Sequence, residues 1–283
     1  MIKRAGVTAA AIITERQPRE DSIIMTIGHT IIGSGTQGVI VLHGWFGDYT
    51  VFNPMLPYLD TDSFRYAFVD YRGYGKSRDL AGEHTMKEIA GDAIALADEL
   101  GWDKFHVIGH SMGGMAVQRV AVDATARVLS GVAITPVPAA GVPFDEQGWG
   151  LFSGAADDDG NRRMILDITT GNRLSGHWLD WMVRASRATT TRDAFADYLV
   201  AWAKTNFLEE ANGLATPLLV LPGEHDPALG EPVMRQTFMQ WYPNATLHVL
   251  RNAGHYPMQE TPVHLATVIE AFMREHGGGQ AAS

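Results

Sequence analysis

At 283 residues the chain has the length of one large domain, or of a core carrying an inserted subdomain. Its 46% apolar and 19% charged residues are the balance of an ordinary globular protein and exclude disordered or fibrous classes. A net charge of −10 argues against a sequence-independent grip on nucleic acid or anionic lipid, and the absence of cysteine excludes disulfides, thiolate catalysis and cysteine-bound metal.

The opening stretch MIKRAGVTAAAIITERQPRE carries Lys3, Arg4 and a short apolar patch from Val7 to Ile13. The patch is interrupted by Thr8 and has no cleavage site behind it, so it reads as an irregular leader on a cytoplasmic protein. No run in the chain reaches the roughly 18 apolar residues of a membrane helix. Ser22–Thr26 and His29–Ile32 then predict an opening hairpin, with Gly28 near its turn. The four-residue apolar run Val39–Leu42, bounded by glycines, suits a strand buried on both faces. Tyr66–Val69, Phe105–Ile108, Val128–Ile134, Leu218–Leu221 and Thr246–Leu250 repeat that signature.

Helical patterns separate these runs. Thr85-Met-Lys-Glu88 is a capping box that opens a helix to about Leu100, where Gly101 stops it. Met112–Ala124, Glu231–Trp241 and Val263–His276 also read as helices. Strands alternating with helices predict an α/β fold, a mostly parallel central sheet with helices on both faces. The alternation fails between Pro136 and Ala215, a segment with helical stretches at Gly176–Arg187 and Asp193–Thr205 and with Trp149, Trp178, Trp181 and Trp202. Residues 136–215 are therefore expected to form an inserted helical cap on a core of residues 1–135 and 216–283. Asp157–Gly160 within it reads as a solvated loop rather than a calcium loop. The tail Gly277–Ser283 is expected to be disordered.

Two glycine motifs compete for attention. Gly33-Ser-Gly35-Thr-Gln-Gly38 fits G-x-G-x-x-G, but it precedes a strand instead of opening a helix, so no pyrophosphate can meet a helix N-terminus there. Gly109-His-Ser111-Met-Gly113 fits G-x-S-x-G in the context that pattern needs, with a strand before it and a helix after it. A sharp strand-to-helix turn exposes the Ser111 hydroxyl above the carboxyl edge of the sheet. Glycines at −2 and +2 remove side chains that would collide, and the Met112 N–H at the helix start faces any developing negative charge. A serine hydroxyl needs a base. Among eleven histidines, His255 stands out, in a loop after the last strand and before the final helix. His110 is expected to point away from the pocket, and His43 to shape its own loop. A carboxylate must orient the base. Asp226 follows the strand Leu218–Leu221 and is preferred over Glu224, because the shorter side chain two residues on reaches back over the sheet edge. The turn His43-Gly44-Trp45 offers the Trp45 N–H as a second oxyanion donor.

Five ordered segments, His-Gly-Trp (43–45), Asp-Tyr-Arg-Gly-Tyr-Gly-Lys-Ser (70–77), Gly-His-Ser-Met-Gly-Gly (109–114), Gly-Glu-His-Asp (223–226) and Gly-His-Tyr-Pro-Met-Gln-Glu-Thr-Pro (254–262), together resemble the α/β-hydrolase superfamily from about Ser22 to His276. The resemblance implies the nucleophile, acid, base order Ser111, Asp226, His255 and a structural role for Asp70 and Arg72. It also implies catalysis without a cofactor or metal. A serine elbow sets the chain apart from the aspartate-nucleophile branches, and Tyr256-Pro257 after the histidine is more similar to carboxylesterases, lactonases and perhydrolase-type enzymes than to carbon–carbon hydrolases.

The expected chemistry is hydrolysis of small apolar or aromatic carboxylic esters through an acyl-enzyme. The oxyanion would be held by the N–H groups of Trp45 and Met112, and Phe46, Trp178, Trp181 and Tyr256 would line the pocket. The cap tryptophans have a plainer alternative role, burying the cap against the core. Carbon–carbon bond cleavage, lactone hydrolysis and small-molecule reception on the same fold are the rival readings. The expected partner is a small-molecule ester, with neither nucleic acid nor membrane.

Overall fold

A computed structural model describes residues 27–277. The N-terminal leader, the strand expected at residues 22–26 and all but the first residue of the tail lie outside the described residues.

Seven strands form one sheet: β1 (His29–Ile32), β2 (Gln37–Leu42), β3 (Phe64–Val69), β4 (Phe105–His110), β5 (Val128–Ile134), β6 (Leu218–Leu221) and β7 (Ala245–Leu247). Their spatial order is β1-β3-β2-β4-β5-β6-β7. Among the described strands, only the β1–β3 pair is antiparallel. The hairpin expected of β1 has its other strand outside the described residues; β1 itself lies against β3, with His29 opposite Val69 and Ile32 opposite Tyr66. The glycine motif between β1 and β2 is a turn fastened to the loop before β3, with Ser34 N–H donating to Thr61 O at 2.9 Å. Residues Val39 to Leu42 are buried, as an apolar run covered on both faces requires. The last strand is shorter than predicted, but His248 and Leu250 N–H still donate to Val220 and Pro222 carbonyls, so the chain stays beside β6.

Eleven α-helices and two 3-10 segments, Tyr49–Tyr58 and Gly75–Ser77, complete the described residues; the α-helices are α1 (Met86–Glu99), α2 (Met112–Asp123), α3 (Glu146–Gly154), α4 (Asp159–Thr169), α5 (Gly176–Thr189), α6 (Arg192–Lys204), α7 (Leu208–Ala211), α8 (Glu231–Gln236), α9 (Phe238–Trp241), α10 (Pro257–Glu260) and α11 (Pro262–His276). Thr85 caps α1 by accepting from Glu88 N–H, but the box is not reciprocal. The Glu88 carboxylate reaches past Thr85 to the N–H groups of His84 and Glu83. The single helix predicted over 231–241 is broken at Thr237, which leaves helical geometry and caps α9. Asp158 caps α4 through two backbone N–H groups, so the acidic run at 157–160 is the solvated start of a helix. None of the described helices is long and apolar enough to cross a membrane.

Between β5 and β6 the chain runs through α3 to α7. The parallel strands end level: Leu42 pairs with Gly109, His110 with Ile134, and Ile134 with Leu221. The order reverses between β2 and β4, since β3 lies outside β2 and β5 lies beyond β4. Open parallel sheets form a crevice for ligands at that reversal, beyond the carboxyl ends of the strands.

Candidate active site

Ser111 follows β4 directly and carries φ 55° and ψ −114°, a left-handed conformation that costs an L-residue free energy. Two close approaches hold it there. A Cβ on Gly109 would collide with the Gly113 carbonyl, and one on Gly113 would strike the Leu42 carbonyl and lie 2.7 Å from that of His43. The second glycine is thus demanded by the end of β2, not by the serine. Ser111 makes no side-chain bond to the N-terminus of α2, so it is not a helix cap. Its Oγ lies 2.9 Å from Nε2 of His255.

His255 lies between β7 and α10, and its Nδ1 stands 2.6 Å from Asp226 Oδ2. The other Asp226 oxygen accepts from Ala228 and Leu229 N–H, each at 3.0 Å. With one carboxylate oxygen facing Nδ1, that nitrogen carries the proton and Nε2 is left to accept from the serine. Glu224 is turned away: it accepts from Asn252 N–H and Arg251 at the surface, and these contacts hold its carboxyl below the usual range. The acid and histidine loops are tied together by Glu224 N–H to Leu250 O and His225 N–H to Ala253 O.

His110 is fully buried beside this line. Its Nε2 donates to the His255 carbonyl at 2.7 Å, and Thr135 Oγ1 donates to the same oxygen at 3.1 Å. Burial, reinforced by the neighbouring His255 ring, pushes its pKa well below that of a free histidine, so it stays neutral. The residue expected only to point away from the pocket therefore also holds the backbone of the histidine loop. His43 is likewise pulled down by burial. Its Nε2 accepts from Tyr71 N–H and its Nδ1 donates to Gly44 O, which shapes the turn as expected. Asp70 accepts from Tyr49 and Lys76 N–H, and Arg72 bonds both oxygens of Asp92.

The Gly44–Trp45 turn sits against the elbow. A Cβ on Gly44 would lie 3.3 Å from Ser111 Cβ and 2.6 Å from His110 Nδ1. Neither Trp45 N–H nor Met112 N–H donates to any acceptor among the described residues. Two unspent backbone donors thus flank the serine.

Above Ser111 and His255 is a cavity of about 590 Å³, its open mouth included, walled by Trp45, Phe46, Phe144, Phe152, Trp202 and Tyr256, with Ile165, Thr169, Ala228 and Leu229 among its other walls. Phe46 and Tyr256 were expected there; two other expected residues are not. Trp181 is 41% exposed, and Trp178 packs on the edge of Tyr256 without reaching the cavity. The buried face of α5 is Leu179, Met182, Val183 and Ser186, which turns Trp181 outward and leaves Trp178 half-buried against Tyr256. Phe144, Phe152 and Trp202 take the place assigned to them.

A family model described as alpha/beta hydrolase fold matches residues 38–262. The chain belongs to the α/β-hydrolase family. Among characterised relatives of this α/β hydrolase, the acetyltransferase component of the acetoin cleaving system of Cupriavidus necator is 28% identical over 260 residues. That match covers 87% of this chain and 65% of the relative, so the chain spans just under two thirds of that protein. A 2-hydroxy-6-oxononadienedioate/2-hydroxy-6-oxononatrienedioate hydrolase from Dechloromonas aromatica is 24% identical, covering 86% of this chain and 88% of its own. A 3-oxoadipate enol-lactonase from Acinetobacter baylyi is 24% identical, covering 93% and 96%. The structure of an esterase from Exiguobacterium antarcticum superposes with a TM-score of 0.77 at 19% identity, covering 88% of this chain and 95% of that one, a likeness of fold.

Proposed function

We propose that this α/β hydrolase cleaves uncharged carboxylic esters through an acyl-enzyme, with Ser111 as nucleophile, His255 as base and Asp226 as its partner. The observation that carries this reading is the unbroken hydrogen-bonded line Ser111 Oγ, His255, Asp226 at the floor of an apolar cavity. His255 takes the Ser111 proton as Oγ adds to the ester carbonyl carbon, and the oxyanion meets the N–H groups of Trp45 and Met112. Collapse expels the alcohol, which receives the proton from His255. Water deprotonated by the same histidine then releases the acid, and Asp226 remains ionised throughout.

Charge favours this reading over carbon–carbon cleavage. The dienedioate hydrolase acts, by its name, on a dicarboxylate. A dicarboxylate here would lose the hydration of its carboxylates with no lysine or arginine among the described lining residues to replace it. Aromatic walls instead suit an uncharged acyl chain or ring. Turnover of a panel of p-nitrophenyl esters, lactones, thioesters and a coloured dienone tests the proposal. Esters are expected to be hydrolysed by wild type and not by Ser111→Ala. No ester turnover by wild type, or full activity in Ser111→Ala, overturns it.

A further inference from the structure

The Trp45 peptide is fixed from two sides. On the core side, Tyr74 hydroxyl donates to the Trp45 carbonyl at 3.0 Å. On the other, the Trp45 indole N–H donates to the Phe195 carbonyl at 2.7 Å, across 150 residues of chain. The indole also stacks on the Phe195 ring, with centroids 4.1 Å apart and planes 19° apart. The Arg162 guanidinium lies 3.7 Å from the same phenyl centroid. Two groups this close to one ring centre must take its opposite faces, so Arg162, Phe195 and Trp45 form a layered stack.

Arg162 is an unusual member of such a stack. It is 1% exposed and forms no ion pair with a carboxylate among the described residues. Its Nε donates to Ala155 O at 2.8 Å and its Nη1 to Ser186 Oγ at 2.5 Å. Burying a guanidinium without a counter-ion is costly, and a π-face is one of the few surroundings that offsets part of the cost. Arg162 is on α4 and Phe195 on α6, both in the helical insertion. Neither lines the cavity, whereas Trp45 does.

We infer that Phe195 and Arg162 are positioning residues for the oxyanion: through the stack and the indole hydrogen bond they hold the Trp45 N–H beside Ser111, so the oxyanion hole is complete only while the helical insertion sits on the core. This rests on the ester-hydrolase reading above. Its functional consequence is a coupling between substrate enclosure and catalysis. Any displacement of α6 from the core would break the Trp45–Phe195 bond and free one oxyanion donor.

The test uses Phe195→Leu, which keeps the accepting carbonyl but removes the ring, and Arg162→Met, which keeps bulk but removes the charge. On p-nitrophenyl butyrate, kcat is expected to fall roughly 10- to 100-fold, with KM within about twofold, because a displaced donor affects the transition state and not the ground state. Affinity for a trifluoromethyl ketone that forms an oxyanion on Ser111 should fall in parallel with kcat. Arg162→Lys should recover most of the Arg162→Met loss. Folded variants with unchanged kcat, or with raised KM and normal kcat, overturn the inference. If either variant fails to give a cooperative melt, Trp45→Phe, which loses the indole donor and one ring of the stack, carries the same expectation for ketone affinity. Should wild type hydrolyse no ester, the ester-hydrolase reading fails by itself. The rate of fluorophosphonate labelling of Ser111 in wild type against the variants then still decides the positioning role.

Discussion

Asp226 divides its carboxylate between two tasks: Oδ2 faces His255 Nδ1 at 2.6 Å, and Oδ1 accepts the N–H groups of Ala228 and Leu229. The second task fixes the side chain so that the first has one geometry. An asparagine can keep the two backbone bonds through its carbonyl oxygen, but it must then point an amide N–H at Nδ1. That favours the imidazole tautomer with its proton on Nε2, which cannot accept from Ser111. Asp226→Asn is therefore expected to melt within a few degrees of wild type and to lose about 10³- to 10⁴-fold in kcat. Ester hydrolysis and a thermal melt on one preparation check both halves. Substantial residual turnover would move the acid role elsewhere.

Ser111, Asp226 and His255 could be picked from the sequence because each stands where a short apolar run ends, and the level carboxyl ends of parallel strands bring such positions together. The elbow is also locally encoded: two glycines, a strand before and a helix after. The cavity wall was not legible in this way. Trp178 and Trp181 look like wall residues in the sequence, but the face α5 buries is decided by what α4 and the core present to it. Arg162 was invisible for a related reason, since nothing in its neighbourhood along the chain distinguishes a guanidinium over a buried phenyl ring from one in water. The pairing of β1 rests on a contact with residues nearly forty positions away, which no local turn specifies.

The two glycines Gly113 and Gly91 both lie in helices, and opposite outcomes are expected when each is replaced by alanine. At Gly113 the added methyl meets the carbonyls of Leu42 and His43, backbone groups at the end of β2. A loss of about 1–3 kcal/mol is expected from this overpacking, together with a displaced elbow. At Gly91, exposed in the middle of α1, a Cβ meets nothing within 4 Å. There the gain in helix propensity should raise stability by about 1 kcal/mol. Urea melts of the two variants separate the cases, and a neutral Gly113→Ala would show that the β2 terminus yields.

Acid should weaken the fold through its buried histidines. His106 lies inside β4, with Nδ1 2.8 Å from Ser130 Oγ, and burial lowers its pKa to about 4. In the unfolded chain the same ring titrates near 6.5. The unfolded state therefore binds the extra proton between those values, so the stability contribution is full above pH 6.5 and is lost as pH falls toward 4. The slope is about 1.4 kcal/mol per pH unit for this one residue. His43 and His110 are shifted the same way and add to it. Denaturant midpoints should hold between pH 7.5 and about 6.5 and then fall toward pH 5, less steeply in His106→Gln. An identical slope in that variant would remove His106 from the account.

Phe144 separates two spaces. It lines the cavity above Ser111 together with Val142, and the same two residues also line an open surface hollow with Trp149 and Lys204. Its ring packs on Phe152 and Trp202, with centroids 4.6 and 5.7 Å away, so the partition is aromatic and one side chain thick. Phe144→Ala should join the spaces and admit a longer acyl chain, whose added methylenes leave water for the newly opened wall. Each methylene that gains a wall contributes about 1–3 kcal/mol to discrimination, so the ratio of kcat/KM for p-nitrophenyl octanoate over butyrate should rise at least about tenfold. Because Phe144 is only half-buried, the stability lost should be smaller than the about 3–5 kcal/mol of a fully buried phenylalanine. Ester profiles of wild type and variant at matched fold stability make the comparison. An unchanged ratio would mean that the acyl chain does not lie along the Phe144 wall, and the partition would then bound the alcohol side of the ester.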